Sequence, residues 1–173
     1  VAITEPGTTN DAFTMTVNAG ESTLSGAEIS FSYQINDNFD LYTGLAISQT
    51  EYDNFVSPDG SEDYSGNDFS FAPKETGVIG LSYADDNGFF GNVNISYTGD
   101  SYSNVDNSRK LDSYTLVNFN GGYEFDQMKL EVYVRNLTDE LYDTNNNITS
   151  SDGTAGVILG APREAGARIT YSF

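Results

Sequence analysis

The chain has 173 residues, 38% hydrophobic and 13% aromatic, which is long enough for one folded domain and too apolar for a disordered segment. Asp and Glu outnumber Lys and Arg by 26 to 7, and the net charge of -19 excludes nucleic acid as a partner because phosphate backbones are repelled. The sequence contains no Cys and no His, so disulfide frameworks, catalytic triads and the commonest metal ligand are excluded, and we expect neither enzyme activity nor a cofactor.

Apolar and polar residues alternate in segments that recur along the chain, and no segment shows sustained helical periodicity. The pattern predicts an all-β chain. Because no apolar run approaches the ~18 residues of a membrane helix, the chain can cross a membrane only as strands. The seven predicted strands lie, in chain order, near residues 13–35 (with a glycine-containing interruption at 18–21), 41–48, 76–83, 91–98, 115–125, 128–135 and 163–173.

Residues 1–4 are a short β-branched segment followed at once by the turn residues Glu5, Pro6 and Gly7. This predicts the end of an eighth strand whose body lies upstream. The sequence also begins without an initiator Met, a basic region or an apolar signal core. We therefore expect residues 1–173 to be a C-terminal fragment.

The links between the predicted strands alternate in length. Those near residues 36–38, 85–88 and 126–127 are tight, whereas those near 49–74, 99–112 and 137–163 are long and polar. Outer-membrane barrels show this asymmetry, with short periplasmic turns and long extracellular loops. The closing strand adds alternation up to a terminal aromatic residue, Phe173. Together these features predict an antiparallel transmembrane β-barrel wall, without tryptophan in its aromatic belt.

Several motifs at their spacing resemble the TonB-dependent outer-membrane receptors, over the C-terminal part of their barrel. The two most specific are the segment from Val134 to Tyr142, which contains Arg135-Asn136-Leu137-Thr138-Asp139, and the ending from Gly160 to Phe173. The further similar segments are Ser25-Gly26-Ala27-Glu28, Phe71-Ala72-Pro73-Lys74 and Thr98-Gly99-Asp100-Ser101-Tyr102.

This resemblance implies the closing part of a 22-stranded barrel, whose plug domain and earlier strands lie outside residues 1–173. It implies a location in the bacterial outer membrane and uptake of a scarce ligand, driven by the TonB energy-transducing complex. A ferric siderophore is expected because it is the commonest ligand class in the family. Outer-membrane lipid and the barrel-assembly machinery are the other implied partners, and the assembly signal would be Ile169, Tyr171 and Phe173.

Aromatic residues in the long loops are the candidates for ligand contact, because aromatic rings can stack on a siderophore catechol or a sugar ring. The alternative is that these rings pack loop against loop or belong to the interfacial belt. The candidates are Tyr52, Phe55, Tyr64, Phe69, Tyr102 and Tyr142.

Two sets of charged residues have different expected roles. The acidic run from Glu51 to Asp68 offers oxygen ligands for Ca²⁺ but lacks a calcium-loop pattern, so we interpret it as a solvated face and predict no metal site. A second set falls on the polar faces of the strands and is expected to face the lumen, because a charge at the bilayer midplane costs about 2 to 4 kcal/mol. These lumen-facing residues are Glu28, Lys129, Glu131, Arg135 and Arg168.

Two alternatives belong to other classes. A complete eight-stranded outer-membrane barrel with a structural or adhesive role would fit the length of 173 residues if the first segment were two strands. A soluble, secreted β-sandwich that binds glycans would also give alternating strands, but it would bury the apolar faces between two sheets.

Overall fold

The computed structural model describes residues 2–3, 13–14, 20–149 and 155–173, with side chains described for 20–146 and 156–173. The described residues form thirteen β-strands and no helix. No helix in this part of the chain is therefore long and apolar enough to cross a membrane. The strands are β1 (Ala2–Ile3), β2 (Phe13–Thr14), β3 (Glu21–Asn36), β4 (Phe39–Asn54), β5 (Glu75–Ala84), β6 (Phe89–Thr98), β7 (Ser101–Tyr102), β8 (Lys110–Leu111), β9 (Tyr114–Phe125), β10 (Met128–Arg135), β11 (Asp143–Thr149), β12 (Ala155–Leu159) and β13 (Glu164–Tyr171).

Seven of these strands form one antiparallel sheet in the order β13-β10-β9-β6-β5-β4-β3, which confirms the all-β prediction and its seven long strands. Each strand pairs with its nearest long neighbour in the sequence. Strands β3 and β13 are the two edges and do not pair with each other, so the described residues form an open sheet and not a closed eight-stranded barrel.

The beginning of the first long strand differs from the prediction. Phe13 and Thr14 form a separate strand that pairs with Ala2 and Ile3, and the long strand β3 starts only at Glu21. Strand β3 starts there because its partner strand β4 ends at Asn54. The carbonyl oxygen of Asn54 accepts a hydrogen bond from the N–H of Gly20 at 2.9 Å.

Two of the tight turns are closed by an Asx side chain, as their sequences predict. The side-chain oxygen of Asn36 accepts hydrogen bonds from the N–H groups of Asn38 and Phe39, at 2.9 and 3.0 Å. Asp85 accepts from the N–H of Phe89 at 2.8 Å in the next turn. Gly88 is required there, because its φ is +95° and a Cβ would lie 2.0 Å from a backbone oxygen of Glu124.

The strand register places most of the polar side chains of the strands on one face of the sheet. Asn92 lies opposite Asn120, and Glu131 lies opposite Arg168, while Val93 lies opposite Phe119 on the other face. The apolar face is exposed: Ile47 is 60% and Ile169 is 70% accessible. Among the described side chains, the buried apolar residues are three, and all lie in the long connections: Phe55, Tyr64 and Leu111.

The sheet is therefore a single layer whose apolar face has no partner among the described residues. A β-sandwich would cover this face with a second sheet, so the sandwich alternative does not describe this fold. Near the tight turns the apolar face carries paired aromatic rings. Phe39 packs on Tyr83 with ring centroids 4.9 Å apart, and Phe89 packs on Tyr123 at 4.7 Å.

On the polar face, aromatic rings lie over glycines of the adjacent strand. Tyr42 lies opposite Gly80, and a Cβ on Gly80 would be 2.2 Å from its ring. Tyr133 covers Gly166 in the same way, with a Cβ contact of 2.5 Å. These pairs fill the space above the glycines, which otherwise weaken a strand, and they fix the rings against the wall.

Candidate functional site

The three long connections lie at one end of the sheet, because antiparallel neighbours place every second connection on the same side. We call residues 55–74 loop A, residues 99–113 loop B and the described residues 136–149 and 155–163 loop C. Loop B contains β7 and β8, and loop C contains β11 and β12. These positions confirm the predicted alternation of short turns and long loops.

The end of β4 and loop A together contain four of the predicted aromatic residues: Tyr52 lies in the strand and not in the loop, and the other three lie in loop A. Phe55 packs on Tyr52 and Tyr64, with ring centroids 5.0 and 5.3 Å apart, and Tyr52 packs on Phe69 at 4.7 Å. Phe55 and Tyr64 are only 7% and 6% exposed, so their rings form the interior of the loop. The Tyr64 hydroxyl donates to the carboxylate of Glu62, and this bond raises the pKa of Tyr64 to about 12.

The acidic residues of loop A are held in local turns. The carboxylate of Asp59 accepts from the N–H of Ser61 at 3.0 Å and from the hydroxyls of Ser57 and Ser61, both at 2.8 Å. These bonds lower the pKa of Asp59 to about 2, the backbone bond being the largest cause. A similar bond to Ser65 lowers the pKa of Asp63. Within the described residues, no three carboxylates converge as metal ligands.

Loop A is joined to loop B by side-chain amides. The Asn107 side chain accepts from the N–H of Asp68 at 2.8 Å and donates to the carbonyl oxygen of Asp68 at 3.0 Å. The Asn67 side-chain amide donates to the carbonyl oxygen of Val105 at 2.9 Å. The backbone N–H of Phe71 donates to the carbonyl oxygen of Tyr102 at 2.6 Å.

Loop B is joined to loop C through Asn146. Its side-chain amide donates to the carbonyl oxygen of Lys110 at 2.7 Å, and its own carbonyl oxygen accepts from the Arg109 guanidinium at 2.8 Å. The hydroxyl of Ser103, which is 3% exposed, donates to the Asn146 side-chain oxygen. Loop B therefore lies between the other two loops and bonds both.

Asn136 closes loop C at its root. The residue is 3% exposed and has a left-handed φ of 49°, a conformation in which Asn is common. Its side-chain amide donates to the carbonyl oxygens of Glu140 and Ala161, at 2.9 and 3.0 Å, and its side-chain oxygen accepts from the N–H of Glu140 at 2.8 Å. Its own N–H donates to the Asn118 side chain of the wall at 3.1 Å.

The other two predicted aromatic residues lie in loops B and C. Tyr142 stacks on Tyr114, with ring centroids 4.1 Å apart, and a Cβ on Gly160 would be 1.9 Å from its ring. The Tyr142 ring is thus packed between residues of its own loop and the wall, and it is partly exposed. Tyr102 is partly exposed, as are Tyr52 and Phe69.

Phe71 is a further exposed aromatic residue at this end of the sheet, and it was not among the six candidates for ligand contact. Phe71 is 51% exposed and has a left-handed φ of 59°, which is strained for a residue with a Cβ. The bond between its N–H and Tyr102 holds this conformation. Phe71 stands in the sequence analysis only as part of the family-like segment from Phe71 to Lys74, because a positive φ in a phenylalanine has no local sequence signal.

The loops carry an excess of negative charge. The described residues of the three loops, 55–74, 99–113, 136–149 and 155–163, contain ten Asp and Glu and four Lys and Arg. Lys74 pairs with Asp68 at 2.9 Å, Lys110 with Asp100 at 2.6 Å and Arg163 with Asp139 at 3.8 Å. The remaining cation, Arg109, bonds the backbone of Asn146. The basic side chains of the described loops are therefore already engaged.

The five charged residues predicted to face the lumen all lie on the polar face. Arg168 pairs with Glu131 at 3.8 Å, and Lys129 lies 3.9 Å from Glu124. Arg135 pairs with Glu164 at 3.5 Å, and by register Glu28 shares this face. The pairs are partly exposed, so each contributes little to stability.

The predicted assembly-signal residues lie at the end of the apolar face. Ile169 and Tyr171 are 70% and 52% exposed on β13, and the Tyr171 and Phe173 rings meet edge to face with centroids 5.1 Å apart. Tyr171 also donates to the Gln127 side chain at 2.7 Å. These contacts fix the terminal rings beside the turn between β9 and β10.

Comparison with known proteins identifies the family. A family model described as "TonB dependent receptor-like, beta-barrel" matches residues 2–137. The chain is 25% identical over 166 residues to the ferrichrome outer membrane transporter/phage receptor of Escherichia coli (strain K12), covering 91% of this chain and 21% of that protein. It is 24% identical over 161 residues to the pesticin receptor of Yersinia pestis, covering 89% of this chain and 23% of that protein.

The fold is shared with a solved receptor. The crystal structure of the ferric yersiniabactin uptake receptor FyuA from Yersinia pestis superposes with a TM-score of 0.73 at 19% identity, over 88% of this chain and 24% of that chain. The chain thus spans 21% and 23% of the two curated relatives, and its open sheet corresponds to part of a barrel. The chain belongs to the TonB-dependent receptor-like β-barrel family, a family of outer-membrane receptors and not of enzymes.

Proposed function

We propose that these 173 residues are the C-terminal part of the β-barrel domain of a longer receptor, which takes up a ferric siderophore by TonB-coupled active transport. The observation that carries the proposal is the family match over residues 2–137. Two of the similar proteins support an iron complex as ligand, since their names specify ferrichrome and ferric yersiniabactin. The TonB energy-transducing complex would act through parts of the receptor that precede this segment.

The two faces of the sheet fit such a barrel. The exposed apolar face, with Ile47 at 60% and Ile169 at 70%, is suited to outer-membrane lipid, because lipid-facing side chains must be apolar. The polar face would then line the lumen, where Glu28, Lys129, Glu131, Arg135 and Arg168 meet the plug. Ile169, Tyr171 and Phe173 would be read by the barrel-assembly machinery.

At the loop end of the sheet, the partly exposed rings of Tyr52 in β4, Phe69 in loop A and Tyr102 in loop B are the proposed ligand contacts, joined by Phe71. Phe55 and Tyr64 are buried in loop A, and Tyr142 packs on Tyr114 and Gly160, so we assign those three to loop packing. A phenol or indole-like ring of the ligand could stack on the exposed rings.

The loop charges favour a neutral or cationic complex over an anionic one. The described loop residues include ten carboxylates and four basic side chains, and those four are already bonded within the protein. A negative field of this kind slows the approach of anions and speeds that of cations, with a strong dependence on salt.

The test is uptake by a bacterium lacking the chromosomal receptor and supplied with the natural-length protein. We expect it to restore uptake of radioactive iron from a ferric siderophore mixture, and deletion of TonB should abolish this uptake. A Tyr102→Ala variant should lower uptake several-fold, whereas a matched Tyr64→Phe variant, which keeps the buried ring, should not. Restoration that is independent of TonB, or no uptake of any iron complex, would contradict the proposed function.

A further inference from the structure

The three long loops are tied together by contacts between residues far apart in the sequence. Asn107 and Asp68, whose side chain and backbone form the bond between loops A and B, are 39 residues apart. Asn146 and Lys110, which join loops B and C, are 36 residues apart. Loop B bonds both neighbours, so a movement of loop A or loop C away from it must break these contacts.

We call the hydrogen bonds between two loops a joint. In the joint between loops A and B, the Asn107 side chain bonds a backbone residue as a neighbouring strand would, with one accepted and one donated hydrogen bond. An Asn side chain carries one acceptor and one donor group, and at Asn107 both are used on the same backbone residue, Asp68, at 2.8 and 3.0 Å. The φ of Asn107 is 55°, and Asn accepts this left-handed conformation more readily than most residues. The backbone bond between Phe71 and Tyr102 continues the joint.

The joint between loops B and C uses Asn146 in a similar way. Its side-chain amide donates to loop B at Lys110, and its backbone oxygen accepts from the guanidinium of Arg109. The hydroxyl of Ser103, a buried residue that is 3% exposed, adds a third bond, to the side-chain oxygen of Asn146. Breaking this joint therefore exposes polar groups that are satisfied only while loops B and C remain together.

We propose that Asn107 and Asn146 are positioning residues that hold loops A, B and C as one cooperative block. The block opens as a unit, so weakening either joint loosens all three loops. The ligand contacts of the proposed function that lie in loops A and B, namely Phe69, Phe71 and Tyr102, are then presented as one preformed surface. The proposal itself concerns loop motion and can be tested without a ligand.

The experiment is hydrogen exchange, followed by mass spectrometry, on the natural-length protein in lipid nanodiscs. Asn107→Gly removes the amide and keeps the left-handed backbone unstrained, and Asn146→Ala removes the other joint. The reporters are amides that touch neither substituted residue: the N–H of Gly160, bonded to Tyr142 in loop C, and the N–H of Tyr64, bonded to Phe55 in loop A.

We expect Asn107→Gly to raise exchange in peptides containing Gly160, and Asn146→Ala to raise it in peptides containing Tyr64, each by roughly tenfold because two or more hydrogen bonds are lost. The control is Ser108→Ala, since among the described residues the Ser108 hydroxyl bonds only Asn104 and Asp106 of its own loop. It should raise exchange in loop B alone.

Exchange that rises only in the two loops that share the substituted joint would overturn the proposal, as would no change in either variant. If Asn107→Gly prevents folding, Asn67→Ala weakens the same joint by one bond, the 2.9 Å contact to Val105. It should produce the same distant increase in loop C at a smaller size, about fivefold.

Discussion

The side-chain amide of Asn136 donates a hydrogen bond to the carbonyl oxygen of Ala161, 3.0 Å away and 25 residues later in the chain. This bond ties the start of loop C to its end, immediately above the wall. The same side chain holds the first turn of the loop through Glu140. Asn136 therefore fixes how the longest loop leaves and re-enters the sheet.

Replacing Asn136 should destabilise the protein substantially. Asn136→Ala loses the three hydrogen bonds of a buried side chain and leaves its partners on the backbone of Glu140 and Ala161 unpaired, which should cost about 3 kcal/mol. Asn136→Gly loses the same bonds but keeps the left-handed φ without strain, so it should be less destabilising by about 1 kcal/mol. Urea unfolding in lipid vesicles measures both, and equal stability of the variants and the unaltered protein would contradict this role.

The face assignment can be tested with adjacent residues on β6. Ile95 lies on the apolar face and is 44% exposed, and Ser96 lies on the polar face. Ile95→Arg should cost about 2 to 4 kcal/mol if that side faces the centre of the bilayer, while Ser96→Arg should be tolerated. The folded fraction in vesicles is read from heat-modifiable migration on gels, and a larger loss for Ser96→Arg would reverse the assignment.

The ring of Tyr42 lies over Gly80, so replacing Gly80 with alanine should destabilise the protein more than the same replacement at Gly44. In Gly80→Ala the new Cβ would lie 2.2 Å from the ring of Tyr42, so the ring must move and its hydroxyl leaves Asn92, now 3.1 Å away. We expect a loss of about 1 to 3 kcal/mol. Gly44→Ala on the same face is the control, because its nearest neighbour, Val78, is at 3.5 Å. Equal effects in thermal unfolding would show that the ring is not fixed.

Loop A should loosen in acid. The pKa of Asp59 is lowered to about 2 by bonds from Ser61 and Ser57, so the stabilisation is complete above the unfolded pKa of 3.8 and is lost as the pH falls through about 2. A fluorophore on a Val56→Cys variant, at a site that is 49% exposed, should report the change between about pH 4 and pH 2. Asp59→Asn removes the titrating group, so the part of the signal that persists in this variant belongs to other groups such as Asp63.

The sequence by itself determined the wall. Alternation assigns each side chain to a face because the strand period is two, and the turn residues Asn36, Asp85 and Gly88 close their turns through contacts a few residues apart. The seven strands, their neighbours and the common polar face of Arg135 and Arg168 follow from such local signals.

Only the tertiary structure decided the loops. Loop A folds around Phe55 and Tyr64, which the sequence could not distinguish from the more exposed Tyr52 and Tyr102, because burial there depends on how the loop returns on itself. The bonds of Asn107, Asn136 and Asn146 join residues 25 to 39 positions apart and have no periodic pattern. Local chemistry sets a strand's faces, whereas loop shape is set by these long-range polar contacts.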